Sequence, residues 1–282
     1  MITINKAVVT AAAPRQRTLP LQTLVDRDGA TKSALVIILE EILAAGVQEI
    51  GVVIAPGDQA AYADAAGDYA GRLTFIEQAE PRGYGHALWQ AREFVGTEPF
   101  LHLVSDHLYV SATEKGCARQ LVETARETAC AISAVQATRE SQIGLYGTIG
   151  GRPVPGFTNR YDIECVQEKP TPTLAEQTLA VPGMRAGHYL CLFGMHVLTP
   201  LIMTLLEEEW AKTAAGQNLQ LSPALSQLAA REQYLAVLMQ GHRYNIGLKY
   251  GLFMAQWALA LCGADRETIL ADLVELLATR PG

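Results

Sequence analysis

The chain has 282 residues, enough for one large α/β domain or a domain with an appended lobe. Hydrophobic residues make up 49%, which argues for a full core and against disorder. The 22 basic and 29 acidic residues leave a net charge of −7, which argues against coating nucleic acid but allows a small polyanionic ligand held by a few local cations.

The first half alternates strand and helix patterns. Ala7–Val9 reads as a short buried strand, and Ser33–Ala45 as a helix with Ser33 as N-cap and Gly46 as stop. Glu49–Ile54 is an apolar strand, Gly57–Ala66 a weaker helix, Leu73–Ile76 a strand and Ala87–Phe94 a helix. Leu101–Val104 is again a strand, Glu114–Thr128 a helix and Ala131–Val135 a strand. Strands alternating with helices imply a parallel sheet covered on both faces, with ligands outside the carboxyl ends of the strands.

After about residue 140 the rhythm changes. Gly150–Gly156 is a Gly- and Pro-punctuated loop or hairpin, and strand-like pieces follow at Ile163–Gln167 and His188–Phe193. Helices are expected near Leu198–Glu208 and Pro223–Glu232, with a strand at Tyr234–Met239 between them and the tail. The tail reads as two amphipathic helices, Leu252–Leu261 and Arg266–Ala278, whose apolar faces near Trp257 and Leu259 would form a dimer contact or close the core. No linker forces a second domain, so 1–282 is expected to be one domain in three parts: 1–140, 141–250 and the C-terminal helices 251–282.

Cys117, Cys130, Cys165, Cys191 and Cys262 are scattered, odd in number and without CxxC spacing, which fits reduced thiols rather than zinc or disulfides. Met1–Lys6 lacks the apolar core of a signal peptide, and charge interrupts every apolar stretch before about 20 residues. The expectation is a cytoplasmic protein with no membrane partner.

Gln78–Asp106 carries the most chemical information. A glycine-bearing turn, Gly83-Tyr84-Gly85-His86-Ala87, opens a helix, and the apolar strand Leu101–Val104 then ends at a carboxylate, Asp106. Glycines let a backbone come close to a ligand, and a carboxylate at a strand end offers Mg²⁺ the hard oxygen it prefers beside phosphates. Zinc at His102, Asp106 and His107 lacks a third well-spaced ligand. A dinucleotide oxidoreductase would need a GxGxxG turn where Ala11-Ala12-Ala13-Pro14 stands.

Seven pieces in order resemble the sugar-phosphate nucleotidyltransferases, with bacterial UTP–glucose-1-phosphate uridylyltransferases looking nearest. They are Gln78 with Gly83–Ala87, Asp106, Tyr146-Gly147, Glu168-Lys169-Pro170, Gly187-His188-Tyr189-Leu190, Asn218-Leu219-Gln220-Leu221, and Arg243-Tyr244-Asn245-Ile246-Gly247 with Lys249. The resemblance implies a Rossmann-like, mostly parallel mixed sheet flanked by helices, a small sugar-binding β lobe and C-terminal helices. It implies transfer of a uridylyl group from UTP to glucose 1-phosphate, with Mg²⁺ as cofactor and a homo-oligomeric assembly.

By the same resemblance, Ala12, Ala13, Arg15, Gln78, Gly83, Gly85 and His86 surround the nucleotide, with Gln78 reading the base. Gly147, Glu168, Lys169 and Gly187 hold the sugar phosphate, and Asp106 and Asn245 bind the metal. Arg17, Asp106 and Lys169 carry the chemistry. The chain departs from the family twice. Asn245 stands where an aspartate is usual, and Ala11–Gln22 lacks the usual glycines and lysine, which leaves Lys32 as the nearest replacement. These departures keep open a weakly active or inactive nucleotide-sugar-binding homologue, or transfer with dTTP or another sugar 1-phosphate.

Overall fold

Short, fully apolar runs form strands that are buried on both faces, and here they make the centre of a nine-stranded sheet. The computed structural model describes residues 2–214 and 216–279. The first part of the chain contains β1 (Lys6–Thr10), β2 (Thr23–Val25), β3 (Thr31–Ser33), α1 (Ala34–Ala44), β4 (Glu49–Ile54), α2 (Gln59–Ala66) and β5 (Leu73–Glu77). Next come α3 (Tyr84–Gln90), α4 (Arg92–Val95), β6 (Phe100–Val104), β7 (His107–Ser111), α5 (Cys117–Thr128) and β8 (Ala131–Arg139). The second half adds β9 (Thr148–Pro153), β10 (Arg160–Gln167), α6 (Pro172–Thr178), β11 (His188–Leu198), α7 (Leu201–Lys212) and α8 (Ser222–Arg231). It ends with β12 (Tyr234–Leu238), β13 (Gly241–Asn245), α9 (Gly251–Leu261) and α10 (Arg266–Ala278).

The sheet order is β5-β4-β1-β6-β11-β8-β12-β10-β9. Strands β5, β4, β1 and β6 are parallel, and β8 and β12 run the same way, whereas β11 and β10 run against them. The sheet is therefore mixed, as the resemblance implied, and strands from both sides of residue 140 share it. Two strand pairs absent from the sequence reading lie outside it: the hairpin β2–β3 and the antiparallel pair β7–β13.

Side chains alternate across β1, so Ala7 and Val9 enter one apolar layer and Val8 the other. The first layer holds α1 and α5, with Leu35, Ile38, Leu39, Leu121 and Val122 fully or almost fully buried. The second holds Leu88, Leu205, Leu206, Leu225 and Leu228 from α3, α7 and α8. Each such side chain contributes about 1.5–3 kcal/mol on burial. Helix α1 begins as expected, with the Ser33 hydroxyl accepting from Val36 N at 3.0 Å. The expected helix Ala87–Phe94 instead starts at Tyr84 and breaks at Ala91 into α3 and α4. Leu259 is buried and closes the core, while Phe253 and Met254 on the same helix stay exposed. Among the described residues no helix is long and apolar enough to cross a membrane.

Register sets the position of the site. Thr10 pairs with Val104, and Ile54 with Glu77, so the carboxyl ends of β1, β6 and β5 reach one edge of the sheet. The residues just past those ends are Ala11–Gln16, Ser105–Asp106 and Gln78, and this edge is where open α/β sheets bind ligands.

Candidate active site

A cleft of about 730 Å³ opens along that edge. It is lined by Ala12–Gln16, Gln78, Gly83 and Tyr84, by Ser105–His107, by Leu145–Gly147, Glu168 and Lys169, and by Asn218, Gln220–Ser222 and Asn245. The cleft brings together Ala12, Ala13, Arg15, Gln78, Gly83, Asp106, Gly147, Glu168, Lys169 and Asn245, as the sequence reading expected.

Gln78 is 4% exposed and held in one orientation. Its Nε2 donates to the Gly83 carbonyl at 3.2 Å and to His86 Nδ1 at 2.9 Å, so its Oε1 is the atom offered to the cleft. His86 does not line the cleft. It is buried against Trp210, with ring centroids 4.8 Å apart, and burial, with Arg82 nearby, lowers its pKa. A neutral ring with Nδ1 as acceptor is what the Gln78 amide requires.

The glycine turn serves the protein's own backbone as well as the cleft. Gly85 N donates to Leu219 O at 3.0 Å, and Leu219 N donates to Arg82 O at 2.8 Å. A Cβ on Gly83, whose φ is +102°, would stand 2.6 Å from Leu219 O, and one on Gly85 2.8 Å from Gln220 O. The sequence reading placed a nucleotide against both glycines. The structure packs residues 218–220 against them, and only Gly83 also lines the cleft.

Asp106 follows β6 and faces the cleft with both oxygens engaged. Gln16 Nε2 donates to Oδ2 at 2.7 Å, and His107 Nδ1 donates to Oδ1 at 2.7 Å. Burial opposes the carboxylate charge, but His107 and the hydrogen bonds, including that of Gln16, outweigh it and hold the Asp106 pKa below the usual carboxylate value. Pairing of β7 with β13 puts Asn245 opposite His107, and Ile246 N donates to Asp106 O at 2.8 Å. Asn245 thus joins Asp106 in the cleft, where its Oδ1 accepts from Gly247 N at 2.8 Å. Among the described residues no three His, Cys, Asp or Glu side chains group to hold a metal ion.

Lys169 has φ +45°, a conformation that non-glycine residues rarely adopt and that tends to be retained at functional sites. Its N–H donates to Tyr146 O at 3.2 Å, and its ammonium lies 3.9 Å from Glu168 Oε1, largely exposed. Glu168 Oε2 accepts from Ser222 Oγ at 2.7 Å. Gly147 is tight against Leu192, whose N donates to Gly147 O at 2.8 Å.

Several expected positions lie elsewhere. Arg17 turns away from the cleft: its guanidinium pairs with Asp58 at 3.2 Å and its carbonyl accepts from Tyr62 OH at 2.7 Å. Arg15 is the first-loop cation that lines the cleft. Lys32 does not replace the missing lysine, because Asp26, Asp28 and Glu40 surround its ammonium at 2.7–2.8 Å. Gly187, at φ +71°, makes the turn into β11 and lies outside the cleft lining. Lys249 sits over the Tyr250 ring, also outside the lining.

Sequence reasoning missed Gln16 as a partner of Asp106, and His107 entered only as a zinc ligand. It also missed a buried polar column beneath the cleft. His102 Nδ1 donates to Val8 O at 3.0 Å, which leaves Nε2 to accept from Tyr84 OH at 2.7 Å. The His102 ring stacks on His196 with centroids 5.8 Å apart, and His196 bonds Ser133, which in turn bonds Tyr234. The only hint in the sequence was histidine inside an otherwise apolar strand.

Comparison with known proteins identifies the family. The sequence model of the nucleotidyl transferase family matches residues 28–256. The chain is 28% identical to the UTP–glucose-1-phosphate uridylyltransferase of Bacillus subtilis strain 168, over 96% of each chain. It is 29% identical to that of Streptococcus pneumoniae serotype 4, over 92% of this chain and 91% of that one. A UDP-glucose pyrophosphorylase solved with UDP-glucose shares the fold at TM-score 0.75 and 22% identity, covering 91% of this chain and 98% of that one. A UTP-bound enzyme from Acinetobacter baumannii does so at TM-score 0.73 and 20% identity, covering 97% and 99%. The cleft at the carboxyl edge of the sheet and the match over most of the sequence lead to one conclusion: the chain belongs to the nucleotidyl transferase family.

Proposed function

We propose that the chain transfers a uridylyl group from UTP to glucose 1-phosphate, giving UDP-glucose and pyrophosphate. The observation that carries this reading is the meeting in one cleft of a fixed glutamine acceptor, a low-pKa carboxylate and an exposed lysine in a strained conformation. The names of the similar enzymes from Bacillus and Streptococcus support the choice of substrates.

Gln78 Oε1 selects the base, because an acceptor suits the N3–H of uracil or thymine and opposes the bare N3 of cytosine. Arg15, rather than Arg17, takes the triphosphate through its guanidinium. Lys169, part of the cleft lining, holds the phosphate of the incoming sugar. Glu168, fixed by Ser222, accepts from sugar hydroxyls. The sugar phosphate is already anionic, so no side chain needs to remove a proton. The residues lower the barrier by alignment and charge neutralisation of an in-line displacement.

The donor set fits Mg²⁺ in a substrate-assisted way. Asp106 supplies one carboxylate and Asn245 one carbonyl, both hard oxygens, and a Mg²⁺ site of one or two carboxylates relies on phosphates and water for the rest. When bound, the ion would neutralise phosphate charge. The exposed Phe253, Met254, Val274 and Leu277 of α9 and α10 support a homo-oligomer.

A pyrophosphate-release screen of UTP, dTTP, CTP, ATP and GTP against sugar 1-phosphates tests the reading. UTP with glucose 1-phosphate should be the best pair, and release with no pair would refute it. A second reading, a nucleotide-sugar-binding homologue that turns over weakly or not at all, is favoured by the bond from Gly247 N to the neutral Asn245 carbonyl and by Arg17 being engaged with Asp58. Tight UDP-glucose binding without turnover, with turnover restored in Asn245→Asp, would decide for it.

A further inference from the structure

We infer that Gln16 is a positioning residue that closes the metal-binding face of Asp106 until a nucleotide moves the first loop; this rests on the uridylyl-transfer reading above. The Gln16 amide donates to Asp106 Oδ2 at 2.7 Å while His107 holds Oδ1, so N–H donors already serve both oxygens of the carboxylate. Gln16 Nε2 and Asn245 Oδ1 also converge, lying 3.0 and 3.1 Å from the point where a Cβ on Gly247 would stand. The partly positive amide therefore sits on Asp106 Oδ2 at the side of the cleft, next to Gly247, that Asn245 Oδ1 also approaches. The N–H occupies one of the two lone-pair sites of Oδ2, so a cation alone that approaches on that side must break a charge-assisted hydrogen bond to enter.

Gln16 differs from His107 in where it is anchored. His107 belongs to β7 and is fixed by its pairing with β13. The backbone bonds of Gln16 itself are local, Gln16 N to Ala13 O and Leu19 N to Gln16 O, both 2.9 Å, while the tethers to Tyr62 and Asp58 act on the next residue, Arg17. Its neighbours Ala13, Pro14, Arg15 and Arg17 are exposed. A triphosphate drawn to Arg15 pulls on this turn, and the Gln16 amide can exchange the carboxylate for a phosphate oxygen, freeing Oδ2. Nucleotide and cation then bind with positive coupling, beyond the coupling that the phosphates supply as ligands.

The test is Mn²⁺ binding to the full chain, followed by electron paramagnetic resonance of the free ion, with and without UTP and with no sugar phosphate present. Mn²⁺ replaces Mg²⁺ because it shares the preference for oxygen donors and is spectroscopically visible. Gln16→Met keeps side-chain length but removes the donor. It should bind Mn²⁺ about tenfold more tightly than wild type without nucleotide, since one hydrogen bond to a charged group is worth about that factor. With UTP the two proteins should bind alike. Adding Asp106→Asn to Gln16→Met should abolish the gain, and Gln22→Ala, at the far end of the same segment, should leave Mn²⁺ binding unchanged.

Wild type that binds Mn²⁺ only with UTP, together with a Gln16→Met protein that behaves identically, overturns the inference and leaves the transfer reading intact. Wild type that takes no Mn²⁺ even with UTP overturns the metal site and the inference together. Circular dichroism of each variant verifies that it is folded, and a nucleotide-independent Mn²⁺ affinity in wild type equal to that with UTP also overturns the inference.

Discussion

The buried pair His102 and His196 should make the fold acid-labile well above the range where carboxylates titrate. Both rings are inaccessible, at 0% and 1% exposure, and they stack on each other. Burial pushes His102 down to about 4, although the Val8 carbonyl opposes it. Burial, helped by the neighbouring His102, pushes His196 down to about 3. In the unfolded chain both return to about 6.5. Between these values the unfolded chain binds more protons than the folded one, so stability rises with pH there. The contribution of the neutral rings is fully present above pH 6.5 and is lost as pH falls toward 4. At pH 5 each ring has forfeited about 2 kcal/mol, or about 4 kcal/mol for the pair. That is a large share of the stability of a typical domain. Urea unfolding followed by tryptophan fluorescence at pH 8, 7, 6 and 5 measures it. The free energy should be level from 8 to 7, then fall with uptake of about two protons between 6 and 5. His196→Asn puts an amide near the Nδ1 position facing Ser133 and should halve that slope. A free energy unchanged from pH 7 to pH 5 would refute the reasoning.

Three further outcomes test the placement of side chains. Lys32→Met leaves Asp26, Asp28 and Glu40 without their shared cation and should cost about 3 kcal/mol in urea unfolding, while kcat/KM for UTP stays at the wild-type value. Arg15→Ala should raise KM for UTP or lower kcat by about tenfold or more, as expected for the loss of a charge-assisted phosphate contact. Arg17→Ala, which breaks a pair with the partly buried Asp58 away from the cleft lining, should change turnover by less than about twofold; equal losses in the two variants would contradict the assignment. Gly83→Ala forces a Cβ to 2.6 Å from Leu219 O at a positive φ and should lower the melting temperature and weaken binding of UTP and of sugar phosphate together, because Asn218 and Gln220–Ser222, on either side of Leu219, line the same cleft.

Much of the fold was legible because a strand buried on both faces must be apolar throughout. Glu49–Ile54 and Leu101–Val104 read as such runs, and Ser33 before an apolar periodic stretch reads as a cap. Strands β7 and β13 were hidden because His107-Leu-Tyr-Val-Ser and Gly241-His-Arg-Tyr-Asn mix polar and apolar side chains in short runs, and their pairing, which buries Leu108, Tyr109 and Val110 in the core, joins segments far apart in sequence. The reversed direction of β11 and β10 was hidden for another reason, since a strand's own residues do not encode which way its neighbour runs. At the site, residue types and order pointed to Gln78, Asp106 and Lys169, and one cleft holds all three. Which first-loop arginine faces that cleft depends on Asp58, 41 positions from Arg17 and brought to it only by folding. The engagement of Lys32 was closer to hand, because Asp26 and Asp28 precede it by six and four residues and Glu40 follows by eight.

The central claim is that one cleft joins a uridylyl group to a sugar phosphate. Phosphorus NMR of the purified protein with UTP, glucose 1-phosphate and Mg²⁺ follows both products at once. UDP-glucose and pyrophosphate should grow in equal amounts at the expense of UTP, and added pyrophosphate should drive the reaction back. UTP that persists unchanged, or is consumed to UDP and inorganic phosphate without UDP-glucose, would contradict the account.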